Sequence, residues 1–345
     1  MSTNTIPPST TPGSALPISR VGRFYLTEKI GKGSNGSVFL GHDPVIDRDV
    51  AIKILIASGG ASDKRQREQQ FINEARAAGR LSHPNIVTIY DASSEGGTTF
   101  IAMEFLQGQD LRHLLAAGSQ FDIIETANII RRIADALAYA HTHGVIHRDI
   151  KPANIFILPN KQPKVVDFGI ARSPNRILDE SGQPEPTLFN TNILGTPNYM
   201  SPEQAGGKPV SAQTDIYSLG AVMYEMLTRQ KPFQTEEINK LLHQIIHKIP
   251  KAPSDIAPNV PASLSRIVMK AMQKNPAERY QNAAEMSLAL QKFLARDKKL
   301  KRNRSRPENH SASAQQNPNG KPSFSWISWS AIAIAALLVL ISLFR

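Results

Sequence analysis

A short stretch of the 345-residue chain carries the residue types that phosphoryl transfer requires. Asp149 offers a carboxylate that can receive a hydroxyl proton, and Lys151 offers a cation for phosphate charge. Asn154 adds an amide oxygen for a metal ion, and a second carboxylate, Asp167, follows thirteen residues later, just before Phe168 and a glycine. The types and spacing of these residues predict a site that moves a phosphoryl group.

Residues 147–154, HRDIKPAN, resemble the catalytic loop of protein kinases, and DFG at 167–169 resembles their metal-binding turn. The resemblance implies that Asp149 orients a substrate hydroxyl and accepts its proton, while Lys151 stabilises charge on the γ-phosphoryl group of ATP. It also implies that Asn154 and Asp167 hold Mg²⁺ or Mn²⁺. A lysine two residues after the aspartate is similar to Ser/Thr kinases rather than tyrosine kinases.

A glycine-rich stretch, GKGSNGSV at 31–38, lies between two strand-like segments. Glycines let backbone N–H groups approach phosphate oxygens, but the GxGxxG pattern alone fits a dinucleotide fingerprint equally well. That alternative requires a helix directly after the glycines, whereas a second strand and VAIK at 50–53 follow here. The stretch therefore resembles the kinase loop that covers a nucleotide, with Asn35 where many members have an aromatic residue. The resemblance implies ATP contacts at Gly31, Lys32, Gly33, Gly36, Val38, Ala51 and Lys53.

Lys53 interrupts an otherwise apolar strand, where a lysine is costly unless it is paired or used. A solvent-facing edge position is the alternative. By resemblance, Lys53 contacts the α- and β-phosphates and pairs with Glu74 in the next helix, predicted at 66–80. The resemblance also makes Glu104 and Leu106 part of the hinge, whose backbone groups bind adenine.

The 37 residues from Asp167 to Glu203 resemble an activation segment that ends in GTPNYMSPEQ, residues 195–204. This ending closely resembles bacterial membrane Ser/Thr kinases of the kind that often carry PASTA sensor repeats. The resemblance implies that Thr196 contacts Asp149 and Lys151, and that Arg148 pairs with a phosphate on the segment. The expected phosphorylation sites are Thr191 and, second, Thr187.

Two further positions are expected to support this machinery. Arg279 of NPAERY at 275–280 is expected to pair with Glu203, by resemblance to a late family motif. Asp215 opens an apolar helix, where it can serve as a simple helix cap. By resemblance, it also anchors the backbone of the catalytic loop, and both roles can hold.

The resemblance covers about residues 20–295 and implies an α+β, bilobal protein kinase fold in a domain at 21–295. The small lobe, 21–106, is expected to be a five-stranded antiparallel sheet with strands at 24–26, 38–40, 50–55, 86–90 and 98–105. The large lobe, 107–295, is expected to be mainly helical. Its helices include one from Asp122, as N-cap, to 143, and a last one at 283–296. Residues 1–20 read as a disordered leader.

Net charge is +11, which on its own suggests a nucleic-acid or membrane partner. Ten Lys and Arg against two acidic residues lie from Lys292 to the end, so residues 1–291 carry only about +3. A nucleic-acid binder needs its basic residues on the folded domain, and nucleic acid is therefore not expected as a partner. Cysteine is absent, which excludes disulfides and thiolate metal sites.

The chain ends in an uncharged apolar stretch of 19 residues, 326–344, about 28 Å long as a helix. Its lack of a polar face predicts a transmembrane helix rather than a buried or surface helix. Positive residues precede it in a basic and polar linker at 296–325, which predicts a single-pass protein of the cell (inner or plasma) membrane with a cytoplasmic kinase domain. The basic residues are either solvated or in contact with anionic lipid.

Since only Arg345 follows the predicted span, no extracellular sensor domain is expected in this chain. Confinement at a membrane favours a homodimer that phosphorylates itself in trans. Two other functions compete with a protein kinase. A pseudokinase scaffold is disfavoured because Lys53, Glu74, Asp149, Asn154 and Asp167 are all present. A small-molecule phosphotransferase is disfavoured by the GTPNYMSPEQ ending.

Overall fold

The computed structural model of the protein describes residues 19–33, 36–55, 61–168 and 197–304. The chain divides into two units, 1–300 and 301–345. All the elements described here belong to the first unit, except that the last helix continues to Arg304. The strands are β1 (Ser19–Val21), β2 (Phe24–Gly33), β3 (Gly36–Asp43), β4 (Arg48–Leu55), β5 (Ile89–Glu95), β6 (Thr98–Glu104), β7 (Gln109–Asp110), β8 (Ile155–Ile157) and β9 (Pro163–Val165). The helices are α1 (Ala61–Ala78), α2 (Leu111–Ala116), α3 (Ile123–Thr142), α4 (Pro202–Ala205), α5 (Ala212–Thr228), α6 (Ile238–His247), α7 (Pro253–Ile256), α8 (Ala262–Ala271) and α9 (Ala283–Arg304).

The small lobe is a curled antiparallel sheet in the order β1-β2-β3-β4-β6-β5, with α1 packed against β5 and β6. Successive side chains of a strand point to opposite faces, and in β4 the two faces belong to two different apolar clusters. Val50 and Ile52 are buried in an apolar cluster with Phe24 and Phe100, while Ala51 belongs to a different cluster on the way to the large lobe. The alternation in β4 thus assigns one face to the lobe's core and the other to the cleft.

The sheet has six strands in the described residues, so the prediction of five is wrong. The additional strand, Ser19–Val21, pairs with β2 through Val21 and Phe24. Gly22 makes the tight turn between them, with a φ of +57° that glycine adopts without strain. The first two residues of β1 fall in the segment predicted as a disordered leader, and residues 1–18 lie outside the described part.

The strand predicted at 86–90 is misplaced, because β5 begins only at Ile89. The residues before it pair instead with the large lobe: Val165 donates its N–H to Asn85 O at 2.9 Å, and Val87 donates to Val165 O at 3.0 Å. Ile86 forms the corresponding parallel bridge with Val165. This lobe bridge, defined as residues 85–87 with 163–165, connects the lobes in addition to the continuous chain after β6.

The large lobe is built on α3, α5, α8 and α9, which share one apolar core. Asp122 caps α3, as the sequence predicts, by accepting the Glu125 N–H at 2.7 Å. A small sheet, β7-β8-β9, lies beside this helical core. The loop that contains Asp149 leads into β8, and Asp167 follows β9, so the two predicted motifs lie at the same end of two paired strands.

The boundaries of the first and the last helix differ from the predictions. Helix α1 starts at Ala61 and ends at Ala78 rather than spanning 66–80. Helix α9 runs on to Arg304, well into the segment predicted as a linker. In the described ranges no helix is long and apolar enough to cross a membrane, and the predicted span at 326–344 lies outside them.

Candidate active site

Asp149 lies at the centre of a small polar network. Its Oδ2 atom accepts a hydrogen bond from Lys151 Nζ at 2.7 Å. The Asn154 amide donates to Asp149 twice, to the backbone oxygen at 2.8 Å and to Oδ2 at 3.2 Å. Asn154 is held in place by the 3-10 turn Pro152–Asn154 and is buried. The structure therefore brings together three of the residues that the sequence singled out.

Asp167 faces the small lobe, where its Oδ1 atom accepts a bond from Lys53 Nζ at 2.7 Å. Lys53 comes from the central strand β4 and is only 5% exposed, which rules out a solvent-facing edge position for it. Phe168, the next residue, is buried against the ring of His147 at a centroid distance of 4.7 Å. This arrangement turns the Asp167 carboxylate towards Lys53 and the Phe168 side chain into the core.

The charge state of Asp167 follows from two opposing effects. Burial raises its pKa, but the attraction and hydrogen bond of Lys53, with smaller contributions from His147 and Lys151, outweigh burial and hold the pKa below its usual range. The group is therefore ionised at neutral pH. An ionised carboxylate can bind a divalent ion, and a phosphate group can lie between that ion and the neighbouring lysine.

A backbone hydrogen bond joins Asn154 to the residue before Asp167: the N–H of Val166 donates to Asn154 O at 3.0 Å. Asn154 and Asp167 both supply oxygen atoms, which Mg²⁺ prefers, and Mg²⁺ is usually held by one or two protein groups plus substrate phosphates. No cluster of three or more His, Cys, Asp or Glu side chains that could hold a metal occurs among the described residues. The pair thus fits an ion that shares its coordination sphere with phosphate oxygens.

The glycine-rich stretch forms the β2–β3 hairpin, with Gly31 opposite Val38, Lys32 opposite Ser37 and Gly33 opposite Gly36. Residues 34–35 at its tip lie outside the described ranges. A Cβ atom on Gly36 would stand 2.1 Å from the backbone oxygen of Ile54, so only glycine fits there. The hairpin is therefore pressed closely against β4, the strand that carries Lys53.

An apolar cluster joins the two lobes beside these polar groups. Its members come from the small-lobe sheet, from the segments before β5 and after β6, and from the residue before Asp167. They are Val38, Ala51, Val87, Met103, Phe105, Leu106 and Val166. Three of the predicted ATP contacts belong to it. Such a cluster, with a few polar groups at its edge, suits the flat ring of a nucleotide base.

Residues 24–292 match the family model of the protein kinase domain, and this range contains every group described above. The chain belongs to the protein kinase family. Members of this family use ATP and a divalent metal ion.

The relatives are bacterial. The chain is 40% identical over 276 residues to the probable serine/threonine-protein kinase PknB of Corynebacterium glutamicum, which covers 78% of this chain and 42% of that protein. It is 37% identical over 266 residues to the serine/threonine-protein kinase PrkC of Bacillus subtilis, covering 77% and 39%. The chain thus spans about two fifths of the length of these relatives. In fold it is similar to a double mutant of the PknI kinase domain from Mycobacterium tuberculosis, with a TM-score of 0.63, 23% identity, and coverage of 83% of this chain and 100% of that one.

The kinase hinge contains an ion pair that the sequence reasoning missed. Lys164 of β9, only 8% exposed, lies with its Nζ 2.6 Å from Glu104 Oε2. The same carboxylate accepts the N–H of Thr88 at 3.2 Å, and the backbone N–H of Glu104 itself donates to Thr88 O. That N–H is therefore not available to adenine. A lysine in a short buried strand was the available signal, since such a lysine needs a partner.

The backbone of the kinase catalytic loop is held by Asp215, a fully buried residue of α5. Its Oδ2 and Oδ1 atoms accept the N–H groups of His147 and Arg148, each at 2.8 Å, and His141 lies 2.8 Å from Oδ2. The N-cap of α5 is Ser211, so Asp215 is not the helix cap. His147 is buried and bonded to Val166 O at 2.9 Å, which agrees with a structural role for it.

The end of the kinase activation segment is joined to the large lobe by Glu203 and Arg279. Arg279 donates to both carboxylate oxygens, at 2.8 and 2.7 Å, and Thr214 Oγ1 donates to one of them at 2.8 Å. Arg148, expected to pair with a phosphate, has an Nε atom that is buried and without a hydrogen-bond partner in the described structure.

The remaining predictions lie outside the described part of the chain. They concern the side chain of Glu74, although its backbone belongs to α1, and the residues Thr187, Thr191 and Thr196.

Proposed function

We propose that this chain is a membrane-tethered Ser/Thr protein kinase that transfers the γ-phosphoryl group of ATP to serine and threonine hydroxyls of proteins. The observation that carries the proposal is the network around Asp149. Its carboxylate is held by Lys151 at 2.7 Å and by Asn154 at 3.2 Å, and Asn154 is one backbone hydrogen bond away from the Asp167 segment. The proposal assigns these residues as a base, a phosphate cation and two groups with metal-binding oxygens, and these contacts support the assignment.

ATP binds between the lobes in this proposal. The adenine occupies the apolar cluster and contacts the hinge at the backbone oxygen of Glu104 and at the backbone of Leu106. The phosphates lie under the glycine hairpin at residues 31–38 and against Lys53, with Glu74 as the proposed second partner of Lys53. When bound, Mg²⁺ or Mn²⁺ held by Asn154 and Asp167 neutralises phosphate charge.

In the transfer step the substrate hydroxyl oxygen attacks the γ-phosphorus, and the bond from that phosphorus to the bridging oxygen of ADP breaks. Asp149 orients the hydroxyl and takes its proton. Lys151, already beside Asp149, neutralises charge on the γ-phosphoryl oxygens. The products are ADP and a phosphorylated serine or threonine.

Regulation is proposed to act through the activation segment. Phosphorylation of Thr191, or of Thr187, supplies a dianion for the guanidinium of Arg148, whose buried Nε has no hydrogen-bond partner in the described residues. Thr196 is proposed to contact Asp149 and Lys151 and to shape the site for serine and threonine. Both relatives reported above are named as serine/threonine-protein kinases, one of them as probable, which supports this substrate class.

The location is proposed from the sequence after α9. Residues 326–344 form a single membrane span, with the kinase domain on the cytoplasmic side of the cell (inner or plasma) membrane and basic residues of 296–325 near anionic lipid. Tethering concentrates kinase domains on one surface, so a homodimer phosphorylates its activation segments in trans.

The test is phosphate transfer from Mg-ATP by the purified full chain in detergent, beside Asp149→Asn and the surface control Asp255→Asn. A positioned general base contributes about 10²- to 10⁴-fold in rate, so Asp149→Asn is expected to lose phosphate incorporation while nucleotide binding persists. Mapping is expected to find phosphate at Thr191 or Thr187. Equal incorporation by Asp149→Asn and the other two proteins, or none by the wild type on itself and on a Ser/Thr peptide library, would refute the proposal.

A further inference from the structure

Around Asp149, the N–H groups of residues 147–149 and the backbone oxygen of Asp149 each have a hydrogen-bond partner. Asp215 accepts the N–H groups of His147 and Arg148, as described above. The Asp149 N–H donates to His147 Nδ1 at 3.2 Å, and the Asp149 oxygen accepts the Asn154 amide. The peptide group between Arg148 and Asp149 has one further polar atom, the Arg148 carbonyl oxygen.

That carbonyl accepts a hydrogen bond from the side chain of Gln204, with Nε2 2.7 Å from the oxygen. Arg148 has a φ of +65°, a left-handed conformation that residues other than glycine rarely adopt. Such a conformation persists only where its surroundings determine it. Gln204 supplies the determining contact on the carbonyl side of Arg148, at the peptide group directly before Asp149.

Gln204 is itself held rigidly. Its Oε1 accepts the Ser201 N–H at 3.1 Å, and its own N–H donates to Ser201 Oγ at 3.3 Å, so it completes a capping box on α4. The neighbouring residue, Glu203, is fixed by the buried ion pair with Arg279. The two halves of the Gln204 amide therefore do different things, the oxygen capping α4 and the nitrogen reaching the catalytic loop 56 residues away.

We infer that Gln204 is a positioning residue for the phosphoryl transfer, acting through the Arg148 carbonyl to hold the peptide that orients Asp149. The inference rests on the proposed function for its catalytic consequence. The contact joins the end of the activation segment to the residue that precedes the base. Removing the donor frees the Arg148–Asp149 peptide to rotate out of its left-handed arrangement, which displaces the Asp149 carboxylate.

The amide allows the two roles to be separated with one substitution. Gln204→Glu keeps an oxygen that accepts the Ser201 N–H, but it cannot donate to the Arg148 carbonyl at neutral pH. Gln213→Glu is the matched control. Gln213 lies in α5 of the same lobe, its side chain also donates to a backbone carbonyl, that of Gln281 at 3.1 Å, and the substitution adds the same charge. Within the described residues, no hydrogen bond joins the Gln213 side chain to the catalytic loop.

The experiment compares the full chain and both variants by thermal unfolding, by steady-state kinetics with Mg-ATP and a Ser/Thr peptide, and by hydrogen exchange of the segment 145–151. For Gln204→Glu we expect kcat to fall about 10- to 100-fold, since a small misplacement of a reacting group has effects of this size. KM for ATP and the unfolding temperature are expected to stay near wild type, and exchange at 145–151 is expected to accelerate. Gln213→Glu is expected to match the wild type in all three measurements.

The outcomes are distinct. Unchanged exchange in Gln204→Glu overturns the inference, whatever the kinetics, because the loop is then held without this contact. Faster exchange with an unchanged kcat also overturns it, since the contact then has no bearing on the base. A fall in kcat matched by Gln213→Glu, or accompanied by an equal rise in KM for ATP, assigns the effect to charge or to nucleotide binding instead. A wild type without transferase activity refutes the proposed function, and the exchange measurement still decides whether Gln204 holds the loop.

Discussion

The guanidinium of Arg279 and the carboxylate of Glu203 form a buried two-point ion pair, with Nη1 2.8 Å from Oε1 and Nη2 2.7 Å from Oε2. Arg279 is 2% exposed, and its remaining donors reach the backbone oxygens of Gln273, Gln213 and Lys274. The pair fastens the end of the activation segment to the loop before α9. All five N–H donors of the arginine therefore have a partner, two of them in Glu203 and three in backbone oxygens.

Arg279→Met is expected to lower the free energy of unfolding by about 3–5 kcal/mol, because it leaves the Glu203 carboxylate buried without its partner. The measurement is urea unfolding at pH 7, with Arg266→Met, at an exposed position of α8, as the control. A loss no larger than that of the control would show that the buried pair does not stabilise the fold.

The same variant has a predictable dependence on pH. Burial raises the pKa of Glu203, but Arg279, with Thr214, outweighs it and holds the pKa below its usual value of 4.5. A carboxyl whose folded pKa is depressed contributes stability above its unfolded pKa and loses it as pH falls further. The difference between wild type and Arg279→Met is therefore expected to shrink as pH falls below about 4.5. A difference that grows in this range would contradict the assignment.

Gly36→Ala is expected to raise KM for ATP several-fold. The added Cβ would lie 2.1 Å from the backbone oxygen of Ile54, so the hairpin must move away from β4 and from the proposed phosphate site beside Lys53. Gly31→Ala is the matched comparison, because its Cβ would meet Val38 at an ordinary 3.8 Å. Titration with ATP at saturating peptide measures both, and an equal or larger effect at Gly31 would contradict the steric argument.

Lys274 provides a prediction in alkaline solution. Burial, with the nearby charge of Arg279, lowers its pKa to about 8, while its Nζ donates to the backbone oxygen of Ile245 at 2.6 Å. Between pH 8 and its ordinary pKa of 10.5, the unfolded chain holds the proton more often than the folded one, so stability contributed at this site rises with pH. The wild type is expected to gain stability relative to Lys274→Met between pH 8 and pH 10.

Urea unfolding of both proteins at several pH values measures this difference, and Lys240→Met, at an exposed position of α6, corrects for the loss of a positive charge. A wild-type advantage that stays constant or declines with pH would show that the folded state does not depress the pKa of Lys274.

The proposed membrane span can be tested by placing charges in it. Ile334→Asp with Leu338→Asp is expected to release the chain from the membrane fraction, since each aspartate costs about 2.5–3.5 kcal/mol at the centre of a spanning helix. Ile334→Val with Leu338→Val is the matched control and is expected to remain bound after an alkaline wash. Release of the control, or retention of the double aspartate variant, would argue against a span at 326–344.

The sequence predicted the parts of the site that depend on local signals. The Asp122 cap of α3 and the grouping of Lys151 and Asn154 around Asp149 involve residues no more than five positions apart. The hydrogen bond from Gln204 to Arg148 and the pair of Glu104 with Lys164 were missed. Their partners are 56 and 60 residues apart, and a local pattern can show that a residue such as Lys164 needs a partner without showing which one. The equally distant contacts of Glu203 with Arg279 and of Asp215 with the catalytic loop were predicted only from the resemblance to protein kinases.

The strand errors have the same origin. The stretch at 86–90 has the β-branched residues of a strand, but Ile86 finds its partner in Val165 of the other lobe, and β5 begins three residues later. Burial by a distant partner, rather than propensity, decided where pairing began. The short strand Ser19–Val21 pairs with β2 through a tight turn at Gly22. Three residues that include an arginine are too short and too polar to predict a strand.

The lobe bridge has a mechanical consequence. It adds the backbone hydrogen bonds of Asn85 and Val87 with Val165 to the other links between the lobes, which include the continuous chain after β6, the contact of Lys53 with Asp167 and the pair of Lys164 with Glu104. A movement of residues 85–87 is therefore passed to β9, and Asp167, two residues beyond Val165, moves with that strand.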